Sequence, residues 1–164
     1  MTGNNQHTTS PAARANVFPW PPVLFVAAVI AAWGMGSYWP LSWPGTNDLA
    51  ARIIGLGFGV AGVALIASAI ITLMRAKTTV MPHGASEHLV TSGPFKRFRN
   101  PIYLGEVLLL LSAAEISKNI WFVVAAAAFA VLVTQLQILS EERHLSAKFG
   151  AAYDAYRSHS RRWI

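Results

Sequence analysis

Four long apolar stretches, separated by short polar segments, dominate the chain. They cover residues 23–39, 50–74, 102–116 and 120–139. The first, second and fourth are long enough to cross the ~30 Å hydrocarbon core of a bilayer as helices, whereas the third is short for a span. The pattern therefore predicts an all-α integral membrane protein with about four transmembrane helices.

Two details of the pattern predict how these helices pair. Only Ser117, Lys118 and Asn119 separate the third stretch from the fourth, which predicts a helical hairpin. The second stretch contains four glycines, which allow membrane helices to approach closely; they are Gly55, Gly57, Gly59 and Gly62. A short third helix must tilt, thin the bilayer or end below one interface.

The two ends of the chain differ from the spans. Residues 1–16 are polar and lack the form of a signal peptide, so they are expected to be a disordered cytoplasmic tail. Residues 17–164 then form a single domain. After the fourth stretch, Leu145, Phe149, Tyr153 and Tyr156 fall on one helical face and predict a C-terminal amphipathic helix. Such a helix could anchor the protein at the interface or close over a pocket, and both interpretations stay open.

Composition supports a membrane location and argues against several kinds of site and partner. Apolar residues make up 54% of the 164 residues and charged residues only 12%, against about 25% in soluble domains. The chain has no cysteine, which excludes disulfides, thiolate metal sites and cysteine nucleophiles. The net charge of +6 is accompanied by no recognition motif, so no nucleic-acid partner is expected. The histidines are too scattered to predict a metal site.

The positive charge is concentrated in two places. Lysines and arginines cluster between the second and third stretches and again after the fourth. By the positive-inside rule, the central loop and both termini are expected in the cytoplasm. We expect an integral protein of a bacterial inner membrane with membrane lipids as neighbours, and the sequence leaves the oligomeric state open.

The candidate chemistry lies where the third stretch begins and the fourth ends. Ser92-Gly93-Pro94 is typical of a turn, and Asn100-Pro101 is typical of a helix start. A helix start with free N–H groups favours an anion, and Arg99 lies directly beside it. The alternative interpretation is that Asn100 is only a helix cap.

Carboxylates and a tyrosine join this junction. Tyr103 and Glu106 lie one turn apart on one face of the third helix, while Glu141 and Glu142 close the fourth. A carboxylate just inside the membrane is costly unless it faces a pocket or a partner. The combination suits a zwitterionic ligand with a cationic centre, although Glu141 and Glu142 could be only a solvated helix end.

At these residues the chain resembles the isoprenylcysteine carboxyl methyltransferase and phospholipid methyltransferase superfamily. The resembling segments are residues 78–82, 88–105 and 141–156. Many members read Arg-His-Pro where this chain has Arg99-Asn100-Pro101, so a role that needs an imidazole there is in doubt. The resemblance implies a methyltransferase that uses S-adenosylmethionine, with residues 78–164 as the cofactor-binding part.

The resemblance also implies roles for individual residues. The nucleoside side of the cofactor would be lined by His88, Leu89, Val90, Gly93 and Pro94. The methionine end would meet Arg99, Asn100 and Tyr103. Glu141 or Glu142 would accept a hydrogen bond from the ribose or the amino group, and Tyr153 and Tyr156 would close the pocket. His88 could also be a loop residue without a role.

The expected reaction is an in-line methyl transfer to a small lipophilic or lipidated acceptor entering from the bilayer. The candidate catalytic residues are Arg99, Glu106 and Glu142. A carboxylate acceptor needs no general base, whereas an amine or thiol would need Glu106 or Glu142 to remove a proton. The lack of a histidine–acid pair therefore favours O-methylation of a carboxylate, as in the isoprenylcysteine carboxyl methyltransferases.

Two other functions remain as alternatives. Reductases of the sterol type are similar in their C-terminal half and use NADPH, but they need more phosphate contacts than this short basic loop offers. A non-catalytic membrane protein would leave the charged cluster at a helix junction without a purpose.

Overall fold

The computed structural model describes residues 20–41, 43–44, 49–76 and 89–164. Helices make up most of this part of the chain, which contains no β-sheet strand. The elements are α1 (Trp20–Tyr38), α2 (Leu49–Arg75), a 3₁₀ turn (Gly93–Lys96), α3 (Pro101–Ser117), α4 (Trp121–Val133), a π-turn (Thr134–Ile138), α5 (Leu139–Phe149) and α6 (Ala151–His159). The predicted tail at residues 1–16 lies outside the described residues.

The expected spans correspond to these helices. Among the described residues, three helical segments are long and apolar enough to cross a membrane: Pro21–Tyr38, Leu49–Arg75 and Trp121–Phe149. The fourth apolar helix, α3, has 17 residues and is therefore only about 26 Å long at ~1.5 Å per residue. The all-α membrane fold is confirmed, and α3 is as short as the sequence predicted.

Helices α2 and α3 pack closely along a line of small residues, which we call the glycine seam: Gly55, Gly59 and Gly62 of α2 and Gly105 of α3. A Cβ added to Gly62 would lie 2.8 Å from the carbonyl oxygen of Gly105, and one added to Gly105 would lie 2.8 Å from the Gly62 oxygen. Gly57 has no such neighbour within 4 Å. Three of the four glycines predicted to allow close approach therefore do so.

Helices α1 and α4 pack on the other side of α3. Their contact includes an edge-to-face pair between Phe25 and Phe129 at 6.0 Å, and Leu110 of α3 is buried in the same core. A groove of about 360 Å³ runs between α1 and α4 along alanines of both helices. Its walls are apolar, as expected of a surface that faces lipid.

The turn between α3 and α4 is fixed by two residues. Lys118 adopts a left-handed conformation with φ of 52° and ends α3. The Asn119 side chain accepts from the backbone N–H of Trp121 at 3.0 Å and donates to the carbonyl of Ala32 at 3.0 Å. The predicted hairpin is thereby tied to α1.

The end of the fourth span differs from the expectation. The helix does not stop near residue 139, but continues through the π-turn and α5 to Phe149. Gly150, with φ of +50°, then ends this helix and separates it from α6. The amphipathic helix after the spans is therefore α6 alone, and Leu145 and Phe149 belong to the extended fourth helix, because the turn residues that would end it earlier are missing from the sequence.

Candidate functional site

The loop before α3 is held against the end of α2. Gly93 has φ of +58°, and a Cβ there would lie 2.6 Å from Thr72 Oγ1. Pro94 lies inside the 3₁₀ turn, where its carbonyl accepts from the N–H groups of Arg97 and Phe98. Glycine is therefore required at position 93 both by conformation and by space.

The chain terminus packs beside this loop. The Arg99 N–H donates to the Arg161 carbonyl at 2.7 Å, and the Arg161 N–H donates to the Arg97 carbonyl at 2.9 Å. Asn100 occupies the position before α3 but makes no side-chain cap. Its Nδ2 instead donates to the carbonyl of Arg162 at 3.2 Å. The helix start predicted at Asn100-Pro101 is confirmed, with Asn100 as the N-cap residue, but its side chain binds the terminal segment and makes no hydrogen bond to the first turn of α3.

Two arginines share one carboxylate at the centre of the site. Glu142 accepts from Arg99 Nε at 3.2 Å and from Arg162 Nε and Nη2 at 3.0 and 2.7 Å. The side chains of Glu142 and Arg99 are each 11% exposed. Arg99 also donates to the carbonyl of Ser160 at 2.6 Å and to that of Arg157 at 3.3 Å. Burial of this kind strengthens charge pairing relative to water.

The neighbouring carboxylate, Glu141, has different partners. Its Oε1 accepts from Tyr103 Oη at 3.2 Å and from Gln137 Nε2 at 2.7 Å. The hydrogen bond from Tyr103 joins α3 to the fourth span, whereas Gln137 and Glu141 lie one turn apart within that span. Glu142 is thus bound by cations and Glu141 by neutral donors. We call Arg99, Asn100, Glu141, Glu142 and Arg162, with the backbone they contact, the polar junction.

The two tyrosines of α6 cover one side of the polar junction. Tyr153 is 1% exposed, and its ring lies edge-on to Tyr156 at 6.1 Å. Tyr156 Oη donates to the carbonyl of Phe95 at 2.7 Å, which ties α6 to the 3₁₀ turn. Burial raises the pKa of Tyr156 to about 12 and also raises the pKa of Tyr153. Both rings are therefore neutral at physiological pH.

Glu106 lies one turn beyond Tyr103 on α3. It is partly buried, and its Oε2 has no hydrogen-bond partner among the residues that the structure describes. The same is true of Gln137 Oε1 within that part of the chain. Both residues lie one turn from the Tyr103–Glu141 hydrogen bond, toward the middle of their helices.

The structure brings most of the sequence-predicted site residues to one place. The residues that meet there are Arg99, Asn100, Tyr103, Glu141, Glu142, Tyr153 and Tyr156, with Glu106 next to Tyr103. Gly93 and Pro94 form the adjacent turn. Leu89 and Val90 precede it and are partly buried. His88 lies outside the described residues, and the roles given to all of these residues stay predictions.

Two participants were missed by the sequence analysis as site residues. Arg162 was counted only among the basic residues of the cytoplasmic side, although it pairs with Glu142 at 2.7 Å. Gln137 was not among the candidate residues, yet it is 1% exposed and donates a hydrogen bond to Glu141. A buried glutamine in an apolar helix is itself a signal of a polar partner, whereas nothing in the local pattern around Arg162 indicates its partner.

Comparison with known proteins gives one match. A sequence model of the phospholipid methyltransferase family matches residues 50–152, which run from the start of α2 to the first residues of α6. No curated protein and no solved structure matches. The matched segment includes Arg99, Tyr103, Glu141 and Glu142, and it ends before Tyr153, Tyr156 and Arg162.

Proposed function

We propose that this chain, which belongs to the phospholipid methyltransferase family, transfers a methyl group from S-adenosylmethionine to a small lipophilic acceptor. Family membership and the apolar helices make it a membrane methyltransferase. The methyl donor, the acceptor and the residues that bind them are our proposal. The observation that carries it is the polar junction, where positive and negative side chains lie side by side in a sheltered position.

The charges of the polar junction fit a zwitterion. S-adenosylmethionine carries a carboxylate, an ammonium and a sulfonium, and the junction offers guanidinium groups, carboxylates and aromatic rings. Arg99 and Arg162 would bind the carboxylate, with Asn100 and Tyr103 beside them. Glu141 or Glu142 would accept from the ammonium or the ribose, and which of the two does so stays open.

The remaining contacts would come from the loop and α6. The nucleoside would lie against Leu89, Val90, Gly93 and Pro94, with His88 as a further contact. Tyr153 and Tyr156 would cover it, which is supported by the hydrogen bond from Tyr156 to the 3₁₀ turn. A cofactor in this place would compete with Arg162 for Glu142, because the two arginines now share that carboxylate.

When bound, the cofactor supplies a methyl group already activated by positive sulfur. The chain therefore needs to align the acceptor and exclude water rather than to activate the donor. In this proposal the polar junction at the start of α3 binds the donor, and the acceptor would approach from the apolar side of that helix. We expect the acceptor to enter from the bilayer.

O-methylation of a carboxylate is the first candidate reaction, because an ionised carboxylate attacks without a general base. Methylation of an amine is a second candidate, and one observation favours it. Glu106 Oε2 is buried and without a partner among the described residues. It is therefore placed to accept the proton that an ammonium must give up before its nitrogen can attack.

The side of the membrane is also part of the proposal. The basic segments around α3 and after α5 favour a cytoplasmic polar junction with both termini on that side. Because the chain has no cysteine, a Thr91→Cys variant carries a single thiol. We expect a membrane-impermeant maleimide to label it only in inverted inner-membrane vesicles; labelling in intact spheroplasts would contradict the orientation.

The cofactor site is tested by binding of S-adenosylhomocysteine to purified variants. We expect Arg99→Ala and Glu141→Ala each to weaken the affinity by at least about tenfold, since each removes a charged or charge-assisted contact. Lys96→Ala is the matched control, because Lys96 is exposed at the end of the 3₁₀ turn. Unchanged affinity in both variants would remove the proposed pocket.

The acceptor class is tested by the chemistry of the product. Membranes are incubated with methyl-labelled S-adenosylmethionine and purified protein, and the labelled lipid is then treated with alkali. A methyl ester releases its label as methanol, whereas an N-methyl group keeps it. Volatile label supports the carboxylate and retained label supports the amine.

A further inference from the structure

The residues that line the apolar groove between α1 and α4 define its size. They run from Leu24 to Met35 on α1 and from Trp121 to Leu132 on α4. Each run rises by eleven residues, which gives a length of about 16 Å at ~1.5 Å per residue. A volume of about 360 Å³ over this length corresponds to a mean cross-section of about 22 Å² and a width of about 5 Å. The groove is therefore long and narrow.

The groove begins near one end of the bundle and reaches its middle. Trp121 is the first residue of α4, and Met35 lies three residues before the end of α1. The polar junction lies at the other end of the bundle, where α3 begins and the fourth span ends. A length of about 16 Å is roughly half of the ~30 Å hydrocarbon core of a bilayer. The groove therefore has the depth of one leaflet.

Aromatic side chains surround the outer end of the groove. The Trp121 indole N–H donates to the Trp39 carbonyl at 2.8 Å, which ties this ring to the residues that follow α1. The side chains of Tyr38 and Trp39 are largely exposed. Tryptophan and tyrosine are enriched where acyl chains meet lipid head groups. The outer end of the groove is thus expected at a membrane surface.

A protein segment does not fit this groove. A helix with its side chains is ~10–12 Å across, about twice the width of the groove. An opening about 5 Å wide and about 16 Å long offers on the order of 100 Å², whereas a stable interface buries ~800 Å² on each partner. A second copy of the chain is therefore excluded as the occupant. Residues 1–16 are polar, and as an extended strand they would leave backbone hydrogen-bonding groups unsatisfied between apolar walls.

One acyl chain fits the length, the width and the polarity of the groove. Apolar carbons attract one another best at ~3.5–4.0 Å, so a polymethylene chain in a groove about 5 Å wide contacts both walls. Alanines keep this space open on both helices: Ala27, Ala28, Ala31, Ala32, Ala125 and Ala128. We infer that the groove binds one acyl chain of a phospholipid from the leaflet whose head groups lie opposite the polar junction.

This phospholipid is distinct from the methyl acceptor, and the inference does not rest on the proposed function. Its head group would lie at the membrane surface opposite the polar junction, so it is out of reach of the methyl donor proposed there. Helix α1 packs mainly on α4. Apolar helices gain no hydrophobic driving force against lipid, so van der Waals contacts hold them together. A chain in the groove would add such contacts between α1 and α4.

The test uses a phosphatidylcholine that carries a photoactivatable diazirine midway along one acyl chain. The full chain is reconstituted in vesicles of this lipid, extracted in dodecyl maltoside, passed through gel filtration and irradiated, and peptide mass spectrometry locates the adducts. We expect about one retained lipid per chain, with adducts on the groove walls at least about tenfold more frequent than at Val60. Val60 is 71% exposed on α2 and does not line the groove.

Variants that fill the groove assign the retained lipid to it. Ala128→Phe fills the groove from α4, and Ala31→Leu is a smaller change that fills it from α1. We expect each to lower the retained lipid at least about tenfold, since the added side chain takes the place of the acyl chain. Ala127→Phe is the matched control, because Ala127 is exposed and does not line the groove. Circular dichroism and a single gel-filtration peak show that each variant is folded.

Three results would overturn the inference. The first is an unaltered chain that retains no lipid, or equal retention by Ala128→Phe, Ala31→Leu and Ala127→Phe. The second is a dimer that the two groove-filling variants dissociate, because the occupant would then be a second copy. The third is a set of adducts concentrated at Tyr103 and Glu106, which would place the lipid on the proposed acceptor path. Binding of S-adenosylhomocysteine is measured separately and bears only on the proposed function, so the two proposals fail independently.

Discussion

The glycine seam and the polar junction lie at neighbouring parts of α3 but differ in packing and in charge. At the glycine seam, α2 and α3 approach until a Cβ on Gly62 would lie 2.8 Å from a backbone oxygen. At the polar junction, α3 begins among charged side chains, with Glu142 shared between Arg99 and Arg162. The glycine seam has no room for an added atom, whereas the polar junction consists of ion pairs in which a ligand could replace one partner.

This difference indicates which substitutions should affect stability and which should affect binding. Close packing in lipid depends on small residues, because hydrocarbon tails are as apolar as the helices. Charged pairs near an interface contribute less to stability, because their attraction is offset by lost hydration. The glycine seam should therefore govern whether the bundle assembles, and the polar junction should govern what it binds.

The largest effect on stability is expected from Gly105→Leu. The added Cβ would lie 2.5 Å from Ile66 Cγ1 and 2.8 Å from the Gly62 oxygen, which forces α2 and α3 apart. We expect a loss of about 3 kcal/mol in the free energy of unfolding, measured by titrating SDS into detergent micelles. Gly57→Leu is the control, since a Cβ there meets nothing within 4 Å. Equal losses in both variants would show that the glycine seam does not hold the bundle.

A smaller loss is expected from Glu142→Gln. The change removes the negative charge between two guanidinium groups and leaves Arg99 with the carbonyls of the terminal segment. Because Glu142 is largely but not wholly buried, we expect a loss of about 2 kcal/mol in the same assay. Asp154→Asn, on the exposed side of α6, should change the free energy of unfolding by less than about 0.5 kcal/mol. A Glu142→Gln variant as stable as the unaltered chain would mean that the shared carboxylate contributes only to binding.

The terminal segment is tested by Asn100→Ala. Loss of the hydrogen bond to the Arg162 carbonyl should cost about 1 kcal/mol. The same loss should expose the bonds after Arg161 and Arg162, so limited digestion with trypsin should cut there several times faster. An unchanged rate of cutting would show that Asn100 does not hold the terminus.

The smallest effect at neutral pH is that of Tyr156, which appears only as a dependence of stability on alkaline pH. Burial raises its pKa to about 12 in the folded protein, against ~10 in an unfolded chain. The unfolded state therefore loses the proton first, and the stability contributed by the neutral ring is full below pH 10 and falls as the pH rises from about 10 to 12. Tyr156→Phe should reduce the fall of the thermal unfolding midpoint with rising pH between about pH 10 and 12. Identical slopes for both proteins would contradict the burial of the hydroxyl.

The sequence predicted the fold correctly where the bilayer requires long apolar helices. The bounds of α2 and α3 were predicted to within a residue or two, because a bilayer demands long apolar helices and the Asn100-Pro101 pair marks a helix start. The meeting of Arg99 with Glu142 was also foreseeable, since the sequence placed the start of α3 and the residues after the fourth apolar stretch at the same side of the membrane. Their direct pairing depends on the positions of the side chains, which the hydrophobic pattern does not predict.

Other parts of the site depend on contacts between distant residues. Arg162 lies 20 positions from Glu142 and follows a break at Gly150 and the short helix α6, so local pattern does not indicate where it ends. The π-turn at Thr134–Ile138 is a small departure from an α-helix that composition does not mark. The burial of Gln137 two positions from the exposed Gln135 is therefore evident only from the structure.

The central claim is that the polar junction binds the methyl donor. Calorimetric titration of the purified chain with S-adenosylhomocysteine and, separately, with NADPH tests it most directly. The charges at Arg99, Glu142 and Arg162 predict saturable heat with S-adenosylhomocysteine and none with NADPH. Saturable heat with NADPH alone would contradict the account and favour the reductase alternative.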